Sequence, residues 1–262
     1  MEDKNLQREL SIGEILSQTF NLYSRNFVQY LIPFLVAGIV TGLATIVVRS
    51  AIVIPEAPLH PTSQQLLAWF PTFLTATVTS LFLFGIVSWI THSFTTGITT
   101  KFTSDLLERG QANLQTSFNF TLTKLLLLLA ASIITGILIV LGFVALVIPG
   151  IILALMFSLV YPVIMLEGTG VLGSLSRSRV LVSNRWLKTL CLLILLGIIV
   201  SVVNGVAVLI AGPFGRVVSP LISGILTAFV TPIFAIAITL YYYSMKARTM
   251  PTPPPKPPAQ TF

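Results

Sequence analysis

The residues of this sequence that could bind a metal or catalyse a reaction are few and far apart. The only histidines are His60 and His92, and Cys191 is the only cysteine. A zinc site needs three or four such ligands in one place, and a nucleophilic side chain needs an adjacent base. The chain contains no H-E-x-x-H, G-x-S-x-G or Walker motif. We therefore predict no catalytic residue, no metal site, no cofactor and no enzymatic activity.

Small and polar residues recur every four positions within apolar stretches of the chain. One such row occupies residues 223–239, and another, within residues 72–96, includes Ser88 and His92. Rows of this kind let helices approach closely and hydrogen-bond across their interface. Alternatively, they line a polar cavity inside the membrane. For the second interpretation the candidates are His92, Ser88 and Asn204, in a cavity among spans two, four, five and six.

An acidic residue near a cluster of arginines is the second candidate feature. Glu167 is the only acidic residue after Glu108. A partly desolvated ion pair there would fix the arginine-containing segment against the rest of the protein, whereas the same pair in water contributes little. We expect Glu167 to contact one of Arg177, Arg179 and Arg185, the alternative being a solvated glutamate at a helix end.

Membrane helices must position these residues. Only 9% of the residues are charged and 55% are apolar, with a mean hydropathy of +0.94. Residues 125–166 are 42 consecutive positions without a formal charge, and about 20 apolar residues suffice to cross a bilayer. The sequence predicts an all-α integral membrane protein, a six-transmembrane-helix bundle with cytoplasmic amphipathic helices. Its spans are expected at about residues 28–48, 68–92, 125–147, 150–166, 188–210 and 220–245.

Prolines predict where these spans turn or bend. The dipeptide Pro149-Gly150 predicts the turn between the third and fourth spans, because proline ends a helix and glycine suits tight turns. Pro162 and Pro232 predict kinks in the fourth and sixth spans.

The distribution of basic residues predicts the orientation. With both termini in the cytoplasm, 13 of the 15 lysines and arginines lie inside, and only Arg49 and Arg216 lie outside. This agrees with the rule that cytoplasmic loops are enriched in basic residues. We predict a multi-pass protein of the plasma membrane whose inner face contacts anionic lipid headgroups and a membrane or cytoplasmic protein partner. We do not expect nucleic-acid binding.

Three cytoplasmic segments are expected to form a platform, namely residues 12–25, 114–124 and 173–188. The first follows Ser11 and Glu14, whose spacing predicts a capping box at the start of an amphipathic helix on the membrane surface. Residues 101–109 are expected to extend the second span as a helix that ends at Gly110. Residues 1–248 would then form one membrane domain, and the proline-rich residues 249–262 a disordered tail.

One stretch resembles a known prokaryotic family. Residues 147–190 are similar to the membrane domain fused to some glycerophosphoryl diester phosphodiesterases and to its uncharacterised stand-alone six-span relatives. The matching features are Pro149-Gly150, Pro162, Glu167, the segment 174–182 and Trp186. Residues 11–27 are similar to the usual start of that family. The resemblance implies a six-span membrane domain, but this chain contains no soluble phosphodiesterase domain, so that activity is not expected.

Three functions remain open from the sequence. The leading hypothesis is a non-enzymatic membrane scaffold or partner-docking protein that uses the cytoplasmic platform. The alternative is a transporter or lipid-handling protein that uses a polar cavity, and the third is a membrane enzyme acting on lipid. A polar-lined cavity at mid-membrane would favour the alternative, and a solid bundle would favour the scaffold.

Overall fold

The computed structural model describes residues 8–60 and 62–249, apart from the side chains of residues 216 and 217. Within these residues the chain forms ten α-helices and a 3₁₀ turn at Gly212–Phe214. The helices are α1 (Ile12–Arg25), α2 (Phe27–Ala51), α3 (Ser63–Arg109), α4 (Leu114–Ala145), α5 (Val147–Met156), α6 (Val160–Glu167), α7 (Val171–Val182), α8 (Trp186–Ala211), α9 (Gly215–Ala228) and α10 (Thr231–Thr249). The part of the proline-rich tail beyond Thr249 lies outside the described residues.

The protein is an all-α, multi-pass membrane protein. Six segments are long and apolar enough to cross a bilayer: α2, α3, α4, α5 with α6, α8 with the 3₁₀ turn, and most of α9 with α10. The six predicted spans fall within these segments, except that the third was predicted to run two residues beyond Ala145. Each apolar stretch crosses as a helix, because only helices and closed barrels can satisfy backbone polar groups in lipid.

The turn between the third and fourth spans differs from the prediction. The helix is interrupted at Leu146, and Pro149 and Gly150 lie in the first turn of α5. Proline is tolerated there because the first backbone N–H groups of a helix have no acceptor within it. Gly150 is needed for packing instead, since a Cβ at this position would lie 2.6 Å from a ring carbon of Phe143.

The kinks expected at Pro162 and Pro232 appear as complete breaks a few residues earlier. The fourth span is interrupted at residues 157–159 and the sixth at residues 229–230. Pro162 and Pro232 are the third and second residues of α6 and α10. Each proline removes the hydrogen bond to the carbonyl four residues before it, so the preceding turn opens and a new helix begins.

The core of the bundle lies towards one end. All ten buried residues of α3 fall between Ser93 and Asp105, and α10 is buried almost continuously from Pro232 to Met245. We call this the tyrosine end, after Tyr241, Tyr242 and Tyr243 of α10, and the opposite one the Arg49 end. The backbone N–H of Leu10 donates to Ser244 Oγ at 2.8 Å, so both ends of the described chain lie at the tyrosine end.

Two local features match their predictions. Ser11 caps α1 and forms the reciprocal capping box with Glu14. Gly110 ends α3 in the left-handed conformation, with φ of 70°. Of the predicted platform segments, residues 12–25 are α1, residues 114–124 are the first part of α4, and residues 173–188 comprise most of α7 and the start of α8.

Candidate functional site

Two cavities meet at the Arg49 end of the bundle. The first, called the vestibule, has a volume of about 930 Å³ and lies between the last turns of α2, residues 52–57 and the first turns of α3. The second, called the groove, has a volume of about 690 Å³ and is lined by α2, α3, α8 and α9. Arg49, Ile52 and Ile54 line both cavities. Volumes of this size are typical of sites for small ligands.

Aromatic residues fix the wall of the vestibule. Trp69 Nε1 donates a hydrogen bond to the backbone carbonyl of Pro55 at 3.2 Å. The Trp69 ring stacks on Phe73, with ring centroids 4.6 Å apart. These contacts hold residues 52–57 against α3, so the vestibule has a defined wall.

The groove has a mixed lining of carbon and hydroxyl groups. Its hydroxyls largely donate to carbonyls of their own helices: Thr41 to Ala37 and Thr45 to Thr41, both at 2.8 Å, and Ser80 to Ala76 at 2.7 Å. Because these protons are already bonded, an apolar chain can lie against the lining without stranding them. Thr77 Oγ1 is not bonded in this way: it is buried without a hydrogen-bond partner in the described part of the chain.

A smaller pocket of about 160 Å³, called the inner pocket, continues from the groove towards the tyrosine end. Ser88 and His92 both line it, and Ser88 Oγ has no hydrogen-bond partner among the described residues. The pocket shares Thr41, Gly224 and Thr227 with the groove.

The predicted cavity residues are therefore only partly brought together. Ser88 and His92 share the inner pocket, whereas Asn204 of α8 lines the groove. The predicted set of lining spans also needs correction. The first span, α2, lines both the groove and the inner pocket, whereas the fourth span, α5 with α6, lines neither of them. The fourth span packs against α3, α4 and α7 away from these cavities, a choice of neighbours that helical periodicity does not encode.

Glycine residues bring α2 and α9 together along the groove. A Cβ on Gly38 would lie 2.7 Å from the carbonyl carbon of Gly224, and a Cβ on Gly42 would lie 3.0 Å from Leu221 Cα. Real Cβ atoms do not approach backbone this closely, so only glycine permits this helix contact. Gly38 and Gly42 thus form a packing surface that also borders the cavities, since Gly42 lines the groove and Gly38 the inner pocket.

At the tyrosine end, Glu167 connects three helices. Arg177 Nε of α7 donates to the two carboxylate oxygens of Glu167 at 3.0 and 3.1 Å. Tyr242 of α10 donates to the same carboxylate at 2.9 Å. Of the other candidate arginines, Arg179 is exposed on α7, and Arg185 pairs with Glu9 instead.

Glu9 joins the segment before α1 to the start of α8. Its carboxylate accepts from Arg185 at 2.8 and 2.9 Å and from Lys188 at 2.6 Å. The hydrogen bond from Arg185, with further bonding and charge from Lys188, lowers the pKa of Glu9 to about 2, although partial burial acts in the opposite direction. Sequence reasoning missed this pairing, because the partners are 176 residues apart.

Two further side chains stabilise the broken spans. Ser178 of α7 donates to the carbonyl of Met156 at 2.6 Å and accepts from the N–H of Leu159 at 3.1 Å. Tyr23 of α1 donates to the carbonyl of Phe229 at 2.6 Å. Backbone groups freed at a helix break inside a membrane require such partners. Neither residue was singled out by the sequence, because the breaks that they serve were not predicted.

Among the residues that the structure describes, no group of three or more His, Cys, Asp and Glu side chains could hold a metal ion. The buried polar groups form pairs between helices instead. Examples are Tyr30 with Thr103 at 2.9 Å, Tyr241 with Thr189 at 2.6 Å, and Tyr243 with Ser104 at 2.8 Å. The tyrosine end is thus a closely hydrogen-bonded block, and the open cavities lie towards the other end.

One protein-family model matches more than half of the chain. Residues 92–245 match the model of a domain of unknown function, DUF7847. The chain belongs to this family. The DUF7847 region begins at His92 in the middle of α3 and ends at Met245 in α10, so it contains Glu167, Arg177 and Ser178 but excludes the vestibule. No curated protein and no solved structure matches the chain.

Proposed function

We propose that the protein is a non-enzymatic lipid-handling protein that takes an amphiphilic molecule from the bilayer into the groove. The observation that supports this most directly is the 690 Å³ groove between the membrane helices, with polar atoms distributed along it. A solid bundle would offer no such volume. The vestibule at its mouth adds space for a headgroup.

The surroundings of the groove favour a lipid over a water-soluble solute. Leu81 and Val208 line the groove and are also 65% and 62% exposed. In a membrane, exposed apolar side chains at span depth face acyl chains, so the edge of the groove opens towards lipid. At the other end of the bundle, the hydrogen-bonded tyrosine end closes the inner pocket off from the protein surface on that side. This favours a binding role over a continuous pore.

We infer that the Arg49 end faces outwards and the tyrosine end faces the cytoplasm, in the plasma membrane of a prokaryote. Basic residues concentrate at the tyrosine end, where Arg25, Arg109 and Arg179 are exposed and would contact anionic headgroups. Single cysteines at Leu59 and Gln115, in a Cys191→Ala background, test this. Labelling of position 59 from outside intact cells, with position 115 protected, is expected; the reverse pattern would overturn the orientation.

A scaffold or docking role for the cytoplasmic platform is the second candidate function. It is favoured by the way α7 and the segment before α1 are fixed to the bundle, through Glu167 with Arg177 and Glu9 with Arg185. A preorganised surface loses less entropy when a protein partner binds. We also propose that the chain is related to the membrane domain fused to some glycerophosphoryl diester phosphodiesterases, a relationship that is compatible with either role.

Crosslinking in membranes tests the lipid-handling proposal. The purified protein is reconstituted in vesicles with a trace of a phospholipid that carries a photoreactive group on its acyl chain, and labelled peptides are mapped by mass spectrometry. We expect labelling along α2, α3, α8 and α9, which line the groove. Ser223→Phe and Asn204→Phe fill the groove from two different helices and should each abolish most of it.

The matched control is Val140→Phe, since Val140 is 60% exposed on α4, which does not line the groove. This variant should retain the groove labelling. If both groove-filling variants label like the wild type, or if labelling is uniform over all lipid-facing helices, the proposal is wrong.

A further inference from the structure

We propose that Arg49 makes the groove selective for a lipid with an anionic, phosphate-bearing headgroup. This inference rests on the proposed lipid-handling function and names its substrate class. Arg49 lies in the last turn of α2 and lines both the vestibule and the groove. It is therefore the charged group that a headgroup meets where the two cavities join.

Arg49 is set apart by its position, because among the residues whose side chains are described it is the only lysine or arginine that lines the vestibule or the groove. At the tyrosine end, Lys101, Arg177, Arg185 and Lys188 all form ion pairs within the protein. Within residues 8–60 and 62–249, no ion pair involves Arg49. A guanidinium group at the mouth of a membrane cavity, with no hydrogen bond to the described residues, provides the donors that phosphate oxygens accept.

The charged residues that line the two cavities favour an anion in the groove over one in the vestibule. Among the described residues, no aspartate or glutamate lines the groove, whereas Glu56 lines the vestibule. A phosphate at the groove mouth thus approaches Arg49 without a carboxylate lining the same cavity. Arg49 is exposed, so a headgroup phosphate that approaches from the bilayer can reach its guanidinium group.

The dimensions fit a lipid held in this orientation. Thr41 and Arg49 both line the groove, and eight residues of helix separate them by about 12 Å. That is most of one leaflet of a hydrocarbon core about 30 Å thick. With the phosphate at Arg49, one acyl chain would follow the groove towards the inner pocket, and the remaining chain would stay in the bilayer beyond Leu81.

Paired lipid probes of opposite headgroup type test the inference. The protein is placed in phosphatidylcholine vesicles with a trace of photoreactive phosphatidylglycerol or of photoreactive phosphatidylcholine, and groove labelling is compared. We expect the anionic probe to label the groove about fivefold more, the scale of one basic residue near an anionic surface. Arg49→Gln should equalise the two probes, and Arg49→Lys should restore part of the preference.

Arg179→Gln is the charge-matched control, because Arg179 is exposed at the opposite end of the bundle, and it should keep the preference. Excess inorganic phosphate distinguishes a lipid headgroup from a free anion, and loss of the lipid preference in its presence would contradict the lipid assignment. If both probes label the groove equally in the wild type, the selectivity inference fails while the proposed function stands. If neither probe labels the groove, the proposed function itself fails.

Discussion

Gly38 and Gly224 form the closest contact between the first and last membrane spans. A Cβ on Gly224 would lie 2.9 Å from the carbonyl carbon of Gly38, and the reverse substitution would be equally crowded. Gly224 also lines both the groove and the inner pocket. This contact therefore sets the separation of α2 and α9, and with it the width of the cavity between them.

The first prediction is that Gly38→Ala and Gly224→Ala each destabilise the bundle by about 1–3 kcal/mol, the usual cost of forcing an added methyl group into tight packing. Thermal unfolding in detergent measures the effect. Gly197→Ala is the control, because a Cβ at Gly197 would meet nothing within 4 Å. Equal melting temperatures for the three variants would show that the glycine contact is not tight.

The second prediction concerns the carboxylate that joins α6, α7 and α10. Glu167→Gln should weaken the attachment of α7 by about 2 kcal/mol, because Arg177 loses a charged acceptor in a partly buried position. Hydrogen exchange should then accelerate in residues 171–182 and stay unchanged in α4. Arg179→Gln on the exposed face of the same helix should have no such effect. Unaltered hydrogen exchange in residues 171–182 of the Glu167 variant would contradict a structural role for the ion pair.

The third prediction concerns the break in the fourth span. Ser178→Ala leaves the buried N–H of Leu159 without its acceptor, which should cost about 1–3 kcal/mol. Ser176→Ala is the control, since Ser176 is exposed on the same helix. The two variants are compared by thermal unfolding. A Ser178 variant as stable as the Ser176 variant would mean that the break needs no side chain to stabilise it.

The fourth prediction is a pH dependence at Glu9. Its pKa falls from 4.5 to about 2 on folding, so the folded state favours the ionised form. The resulting stabilisation is complete above pH 4.5 and is lost as the pH falls towards 2. Glu9→Gln should lower stability by about 1 kcal/mol near pH 7, and this difference should shrink below pH 4.5. A difference that stays constant from pH 7 to pH 3 would contradict the assignment.

Much of the fold is encoded locally and could be read from the sequence. Charge-free stretches predict the spans, because a charge inside lipid is costly over any part of a helix. The capping box at Ser11 and Glu14 and the end of α3 at Gly110 follow from interactions within four residues along the chain. Such features need no knowledge of which helices are neighbours.

The remaining features depend on which helices pack together. His92 lines the inner pocket and Asn204 lines the groove, and no periodicity within α3 or α8 determines that arrangement. Arg185 was a reasonable candidate for Glu167 by proximity in sequence, but the folded chain brings Glu9 to it instead. Pro162 predicts a bend in the fourth span, but the hydrogen bonds with Ser178 that stabilise the break at residues 157–159 come from a different helix and could not be predicted from the span's own sequence.

The most direct test of the lipid-handling account is an experimental density map of the protein in nanodiscs that contain phosphatidylglycerol. We predict elongated density in the groove between Thr41, Thr45 and Asn204, with its headgroup within hydrogen-bonding distance of Arg49. The same density should be absent for Ser223→Phe. A groove closed by direct contact of α2, α3 and α9, or one left empty while lipid is resolved around the outer surface, would contradict the account.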